Sequence, residues 1–194
     1  MWKKVVYMGV DLEEYFVDDI VYDDTKVIFV LESPHTQEVK NGYPVAGKSG
    51  VDMSLVLFNI SEPFGKLVYE HRIQGLGLVN VSNYPLQKSA YHKPEAKVLE
   101  FFETIRQNPK PRKNAKGGIN LVIEKMLHNF QQRLGKHKDK KVVLCGRFAQ
   151  NAFDVVFNEG DFVDVLRVPH PSFNNWRKAR YAQDIEQLKR FIAC

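Results

Sequence analysis

The chain has little cysteine. Cys145 and Cys194 are its only two, too few for a disulfide framework, and neither stands in the paired spacing of a metal site. Long apolar runs are missing too: nothing in the sequence approaches the roughly 20 consecutive apolar positions of a membrane helix. The opening MWKKVVYMGVDLEEYF has basic residues and a short apolar stretch, but not the small-residue cleavage site of a signal peptide. Internal repeats and low-complexity tracts are absent. These gaps argue against a disulfide-stapled secreted module, a membrane-spanning protein and a solenoid, and they point to a reducing, cytoplasmic setting.

What remains reads as a soluble protein of ordinary make-up. With 194 residues, 44% of them hydrophobic, the chain is long enough to bury a sizeable core as one domain, 1–194. The net charge of +5 conceals an asymmetry. Residues 1–24 hold two lysines against Asp11, Glu13, Glu14, Asp18, Asp19, Asp23 and Asp24, a balance of −5, so the remainder carries +10. The first 25 residues are therefore expected to form an acidic N-terminal extension, an added strand or cap, a shield for a basic groove, or a partner site. The basic body suits a polyanion such as nucleic acid, although mildly basic proteins without such a partner are common.

Four short apolar runs rich in β-branched residues read as buried strands: KVIFVL (26–31), LGLVNV (76–81), KVVLCG (141–146) and FVDVLRV (162–168). Helical patterns lie between and after them. PEAKVLEFFETIRQ begins with a proline suited to a first helical turn. GINLVIEKMLHNFQQRL follows a diglycine, and RFAQNAFDVVF puts Phe148, Ala149, Ala152, Phe153 and Val156 on one face. A last helix carries Tyr181, Ile185, Leu188 and Ile192 at helical spacing. Strands alternating with helices predict an α/β fold, a three-layer α/β/α sandwich around a central, mostly parallel four-stranded sheet. Ligands of such sheets bind beyond the carboxyl ends of the strands, where all four following segments are rich in polar residues, glycine or proline. The segment 106–118, RQNPKPRKNAKGG, has five basic residues and no acid. It reads equally as a phosphate-tracking loop and as a solvated linker.

Three of those strand ends offer chemistry. In VPHPSFNNW, Pro169 and Pro171 restrict the backbone on both sides of His170, which suits an imidazole that must be aimed. Asn80 presents an amide acceptor and donor able to read a nucleobase edge. Glu32 is placed to orient a water or to stabilise positive charge. Each has a plain alternative: a packing histidine, an asparagine bonded to nearby backbone, and a glutamate where solvent begins. His35 with His92 or His170 would be a metal site only without the usual zinc spacing, so no metal is expected. Cys145 reads as a small core residue.

These segments resemble the uracil-DNA glycosylase superfamily. LESPHTQEVKNGYPVAGKSG is similar to the first motif of the branch that reads GEAPG and then GxPFVGxAG, with Glu32, Pro34, Gly42, Pro44, Gly47 and Gly50 in step. LVNVSNYPL resembles the strand carrying the base-reading asparagine, KVVLCGRFAQNAF the third strand and its helix, and VPHPSF the HPS motif of the catalytic histidine. The resemblance runs in order from about residue 26 to 180. Leu31 replaces the usual glycine, Ser33 stands where some branches have a catalytic aspartate or asparagine, and Val45 replaces a base-stacking phenylalanine. The iron–sulfur cysteines of that branch are absent, so no cluster or other cofactor is expected.

The resemblance implies a monofunctional glycosylase that flips uracil or another altered base out of DNA and hydrolyses its N-glycosidic bond. His170, Glu32 and Ser33 would be catalytic. Asn80 would read the base, with Tyr43 and Val45 lining its pocket. A Gly47–Gly50 loop bearing Lys48 and Ser49 would meet phosphate, with Ser172, Phe173, Trp176 and Arg177 also on DNA, and Phe173 or Trp176 wedging into the gap. Two other readings remain: a nucleic-acid- or nucleotide-binding protein of the same fold with reduced chemistry, and an unrelated α/β enzyme acting on a small phosphorylated or nucleoside substrate.

Overall fold

The computed structural model describes residues 6–7, 10–92, 98–111 and 118–193. Strands β1 (Val6–Tyr7) and β2 (Val10–Asp11) make a small antiparallel pair. The main sheet holds β3 (Val27–Leu31), β4 (Leu76–Asn80), β5 (Lys141–Cys145) and β6 (Asp164–Val168), in the order β4-β3-β5-β6 with every neighbouring pair parallel. All four runs read as strands from sequence are strands. A parallel sheet buries both faces, and β3 and β4 are buried at every position.

Alternation along the strands divides the interior into two cores. Ile28, Val30, Val79, Val142 and Leu144 face one side, under α4 (Val98–Gln107), α5 (Ile119–Leu134) and α6 (Gly146–Val156). Phe29, Leu31, Leu78, Val143 and Val168 face the other, under α2 (Lys48–Phe58), α3 (Phe64–Tyr69) and α7 (Ala182–Ala193). This is the α/β/α sandwich that the strand and helix pattern implied. On α6, Phe148, Ala149, Ala152 and Phe153 are buried as their spacing predicted. On α7, Ile185 and Leu188 are buried likewise.

Two helices interrupt what sequence alone reads as one long loop after β3: α1 (Thr36–Asn41) and the start of α2. Neither announces itself by hydrophobic period. The α1 helix buries no residue, and α2 buries Gly50, Asp52, Met53 and Ser54, mostly small or polar groups. A Cβ on Gly50 would lie 1.8 Å from the Val45 carbonyl oxygen, so α2 packs there through a missing side chain. The Gly47–Gly50 segment is therefore the first turn of a helix and not a loop.

The part of the acidic N-terminal segment around Ile20 caps the sheet edge. Ile20 forms an antiparallel bridge with Leu78 on the outer strand β4, with N–H to carbonyl distances of 2.8 and 2.7 Å. Such pairing covers an edge that would otherwise be open to another chain. The proline-led start of α4 and residues 112–117 of the basic segment lie outside the described residues.

Candidate active site

The carboxyl ends of the four strands bring most of the candidate residues to one edge. Register pairs Leu31 with Asn80. Beyond it the Ser82 N–H donates to the Glu32 carbonyl at 3.1 Å, so Glu32 and the Asn80 strand end are neighbours. Ser33 follows, its Oγ accepting a 3.4 Å hydrogen bond from the Leu86 N–H. Across the sheet, the loop after β6 folds back onto the end of β5. Gly146 takes φ +87°, and a Cβ there would lie 2.8 Å from the His170 Cβ. Gly146 therefore leaves the space in which His170 sits, beside the end of the central strand. Two strand spacings, about 9.5 Å, separate β4 from β5, and Glu32 stands between them.

The His170 loop is held by side chains that cap its carbonyls. Trp176 Nε1 donates to the Pro169 carbonyl at 2.7 Å, Asn175 Nδ2 to that of His170 at 3.0 Å, and Gln150 Nε2 to that of Val168 at 3.1 Å. The imidazole is oriented as well. The Ser172 N–H donates to Nδ1 at 3.1 Å and the Ser172 Oγ lies 2.7 Å from the same atom. A backbone N–H can only donate, so Nδ1 is the acceptor, and the neutral ring carries its proton on Nε2. Burial pushes the His170 pKa below its usual 6.5; nearby Glu32 raises it and Arg106 lowers it. The ring is thus a neutral Nε2–H donor at neutral pH.

Glu32 is tied by a residue the sequence did not single out. Arg106, in the last turn of α4, donates from Nε to Glu32 Oε1 at 2.7 Å, with the carboxylate side chain 16% exposed. Among the described residues, Oε2 has no hydrogen-bond partner. The carboxylate is fixed through one oxygen and open through the other. Asn80 is 2% exposed, and its side-chain amide makes no hydrogen bond among the described residues. Among the described residues the fully enclosed polar side-chain atom without a partner is Ser54 Oγ, not this amide, so the Asn80 amide keeps a small opening through which a ligand could pair with it.

Other expected roles change on placement. Trp176 is 3% exposed and its N–H is used inside the loop, so it is a core residue and not a wedge. Phe173 is 86% exposed with φ +59°, followed by Asn174 at φ +53°; this turn pushes the ring into solvent. Ser172 is occupied by the imidazole instead of facing DNA. Arg177 reaches the buried Asp52 at 3.3 Å, which diverts it from a free phosphate contact. Lys48 is exposed, with half-buried Ser49 beside it, at the start of α2. Val45 is buried beneath α2 and α3 with φ +47°. The Tyr43 ring stacks on Tyr69 at 5.2 Å between centroids, so one of its faces is already covered.

An apolar cavity of about 110 Å³, lined by Leu12, Tyr84, Phe102, Ile105 and Met126, lies on the other side of the Asn80 strand; His170 and Glu32 are not part of it. Among the described residues no group of three or more His, Cys, Asp or Glu side chains could hold a metal ion.

A strand-end carboxylate, an unpaired amide and a neutral imidazole donor, in that order along the chain and all at the carboxyl edge of one parallel sheet, coincide with a match to a known family. The model of the uracil DNA glycosylase superfamily matches residues 19–192. The chain belongs to that superfamily. A search of curated proteins returned no match. The superfamily match begins at Asp19, so most of the acidic extension lies before the shared fold, while Asp19 itself is inside it.

Proposed function

We propose that this member of the superfamily is a monofunctional DNA glycosylase, hydrolysing the N-glycosidic bond of uracil or another altered base flipped out of DNA. The observation that carries the reading is the hydrogen bond from the Ser172 N–H to His170 Nδ1, which assigns the ring proton to Nε2. With Nδ1 accepting from the Ser172 N–H and no hydrogen bond at Nε2 among the described residues, Nε2–H is the donor offered to the base oxygen on which negative charge gathers. As the C–N bond breaks, its electron pair leaves with the base, and the sugar acquires oxocarbenium character. A fixed donor in a water-poor site stabilises the departing anion without reorganising. Glu32, fixed by Arg106 through Oε1, offers Oε2 to a water whose oxygen bonds to the anomeric carbon and whose proton the carboxylate accepts. Its negative charge also favours the cationic sugar. Asn80 pairs with the Watson–Crick edge and so satisfies its buried amide. Phe173 fills the gap left in the stack, and the first turn of α2, with Lys48 and Ser49, meets a phosphate.

One observation favours the alternative of a binding module with reduced chemistry: the carboxylate already has a cationic partner and the next residue is Ser33, not a second acid. Base release from oligonucleotides carrying uracil, hypoxanthine, xanthine or an oxidised pyrimidine, in single and double strands, separates the two. Release of one base, reduced about 100- to 1,000-fold in kcat by His170→Ala, supports the glycosylase. Salt-sensitive DNA binding without release of any base favours the binding module.

A further inference from the structure

The outer strand β4 is paired on one side by β3, and on the other, among the described residues, it has only the short bridge to Ile20. Past Leu78 that bridge stops, and Asn80 would have loose backbone groups at the point where its side chain matters. A half-buried ion pair takes the place of the missing strand. Asp19 Oδ1 accepts from the Asn80 N–H at 3.3 Å and from Asn83 Nδ2 at 3.2 Å. Its other oxygen is bonded by Arg133 Nη1. Arg133 Nη2 donates to the carbonyls of Asn80 at 2.8 Å and Val81 at 3.0 Å, and Nε to Asn129 Oδ1 at 2.7 Å. The two side chains are 18% and 16% exposed.

We propose that the Asp19–Arg133 pair is a positioning clamp for base recognition: it holds both backbone groups of Asn80, so that the unpaired amide keeps one orientation toward the base. The inference rests on the reading of Asn80 as the base reader. The guanidinium supplies a planar fork that reaches two successive carbonyls and a carboxylate together, which a lysine ammonium cannot reproduce. Breaking one half of a half-buried pair leaves the other charge largely desolvated and unpaired, so both halves are required together. Because Asp19 comes from the acidic extension and Arg133 from the last turn of α5, the clamp also ties the cap to the site.

The test compares the parent with Arg133→Lys and with the double variant Asp19→Asn/Arg133→Met, which removes both charges. Two readouts are taken: single-turnover release of the preferred base, with KM measured separately, and the side-chain amide resonance of Asn80 in nitrogen-15 spectra, assigned through Asn80→Ala. Thermal melting shows that each variant is folded. The clamp predicts a fall of about 10- to 100-fold in kcat in the double variant, KM for DNA within about twofold because phosphate contacts are untouched, and a broadened, faster-exchanging Asn80 amide. Arg133→Lys falls between. An Asn80 amide unchanged in both folded variants overturns the clamp, whatever the rates do. Equal losses for preferred and rejected bases also overturn it, since a merely structural role would act on all alike. If the parent releases no base, the glycosylase reading fails separately, and the amide resonance alone decides the clamp.

Discussion

Ser172 meets the His170 imidazole at one nitrogen, through its N–H and its Oγ. The Ser172 N–H on Nδ1 fixes the proton on Nε2, and burial keeps the ring neutral. A histidine held below 6.5 in the folded protein sheds its proton more readily there than in the unfolded chain. Between the folded and unfolded values the unfolded chain binds more protons, so this residue's contribution to stability is full above the unfolded value and is lost as pH falls through that window. Activity should follow the neutral form, with an acid limb centred below 6.5. Glu32 and Arg106 act on the ring in opposite senses, and they are the charged groups that bear on it. Glu32→Gln should move the acid midpoint of base release further down and Arg106→Gln should move it up, read as midpoints of the pH–rate profile independently of its height. Two shifts in the same direction would show that the pair does not set the charge state of His170. Arg106 was not legible in the sequence as part of the site. Its partner Glu32 is 74 residues away in the chain, and it sits at the edge of a basic run that hides any single cation.

At the scale of elements, the four strands were legible because each is a compact apolar run buried on both faces, and α6 and α7 because their apolar faces repeat at helical spacing. The α1 and α2 helices were not, since α2 packs through Gly50 and a buried Asp52 where a periodic stripe would be expected. The start of α6 teaches the same lesson. Gly146 reads as the last residue of a strand, yet it takes φ +87° and begins the helix under His170; nothing in the sequence says that a glycine there is about space for another loop. Gly146→Ala should therefore be costly twice over. The left-handed backbone costs an L-residue about 1–2 kcal/mol, and the new methyl displaces the His170 backbone. Chemical denaturation should show a loss of about 2 kcal/mol or more, accompanied by a fall in kcat larger than the change in KM. Trp176→Phe offers a gentler probe of the same loop. It keeps most of the apolar contact but deletes the donor to the Pro169 carbonyl, and it should cost about 1–3 kcal/mol for the stranded acceptor. A variant as stable as the parent would mean that the proline pair alone holds the loop.

For the whole molecule, the charge asymmetry acquires a geometry. Residues 17–24 of the acidic segment lie along the outer strand, with Asp19 bonded to Arg133 and Asp24 accepting from the Gly75 N–H at 3.1 Å. Two of its acids thus serve the sheet. The exposed cations Lys48, Lys178 and Arg180 follow the carboxyl-edge loops instead, where a nucleic acid entering the His170 site would run. DNA affinity should therefore fall steeply with salt, because each neutralised phosphate releases counterions. Lys48→Ala should lower the slope of log K against log salt by about 0.9 on duplex and about 0.7 on single strands. It should weaken binding alike for altered and unaltered sequences, since a phosphate contact carries no base information. Arg177→Ala should behave differently. Its guanidinium is partly spent on Asp52, whose side chain is 9% exposed, so its removal should lower stability by stranding a buried carboxylate while changing the slope less. Equilibrium titrations over a salt series, with melting curves for both variants, distinguish the two. A slope unmoved by Lys48→Ala would take the start of α2 off the path of the phosphates and leave the DNA to cross the sheet edge on the α7 side.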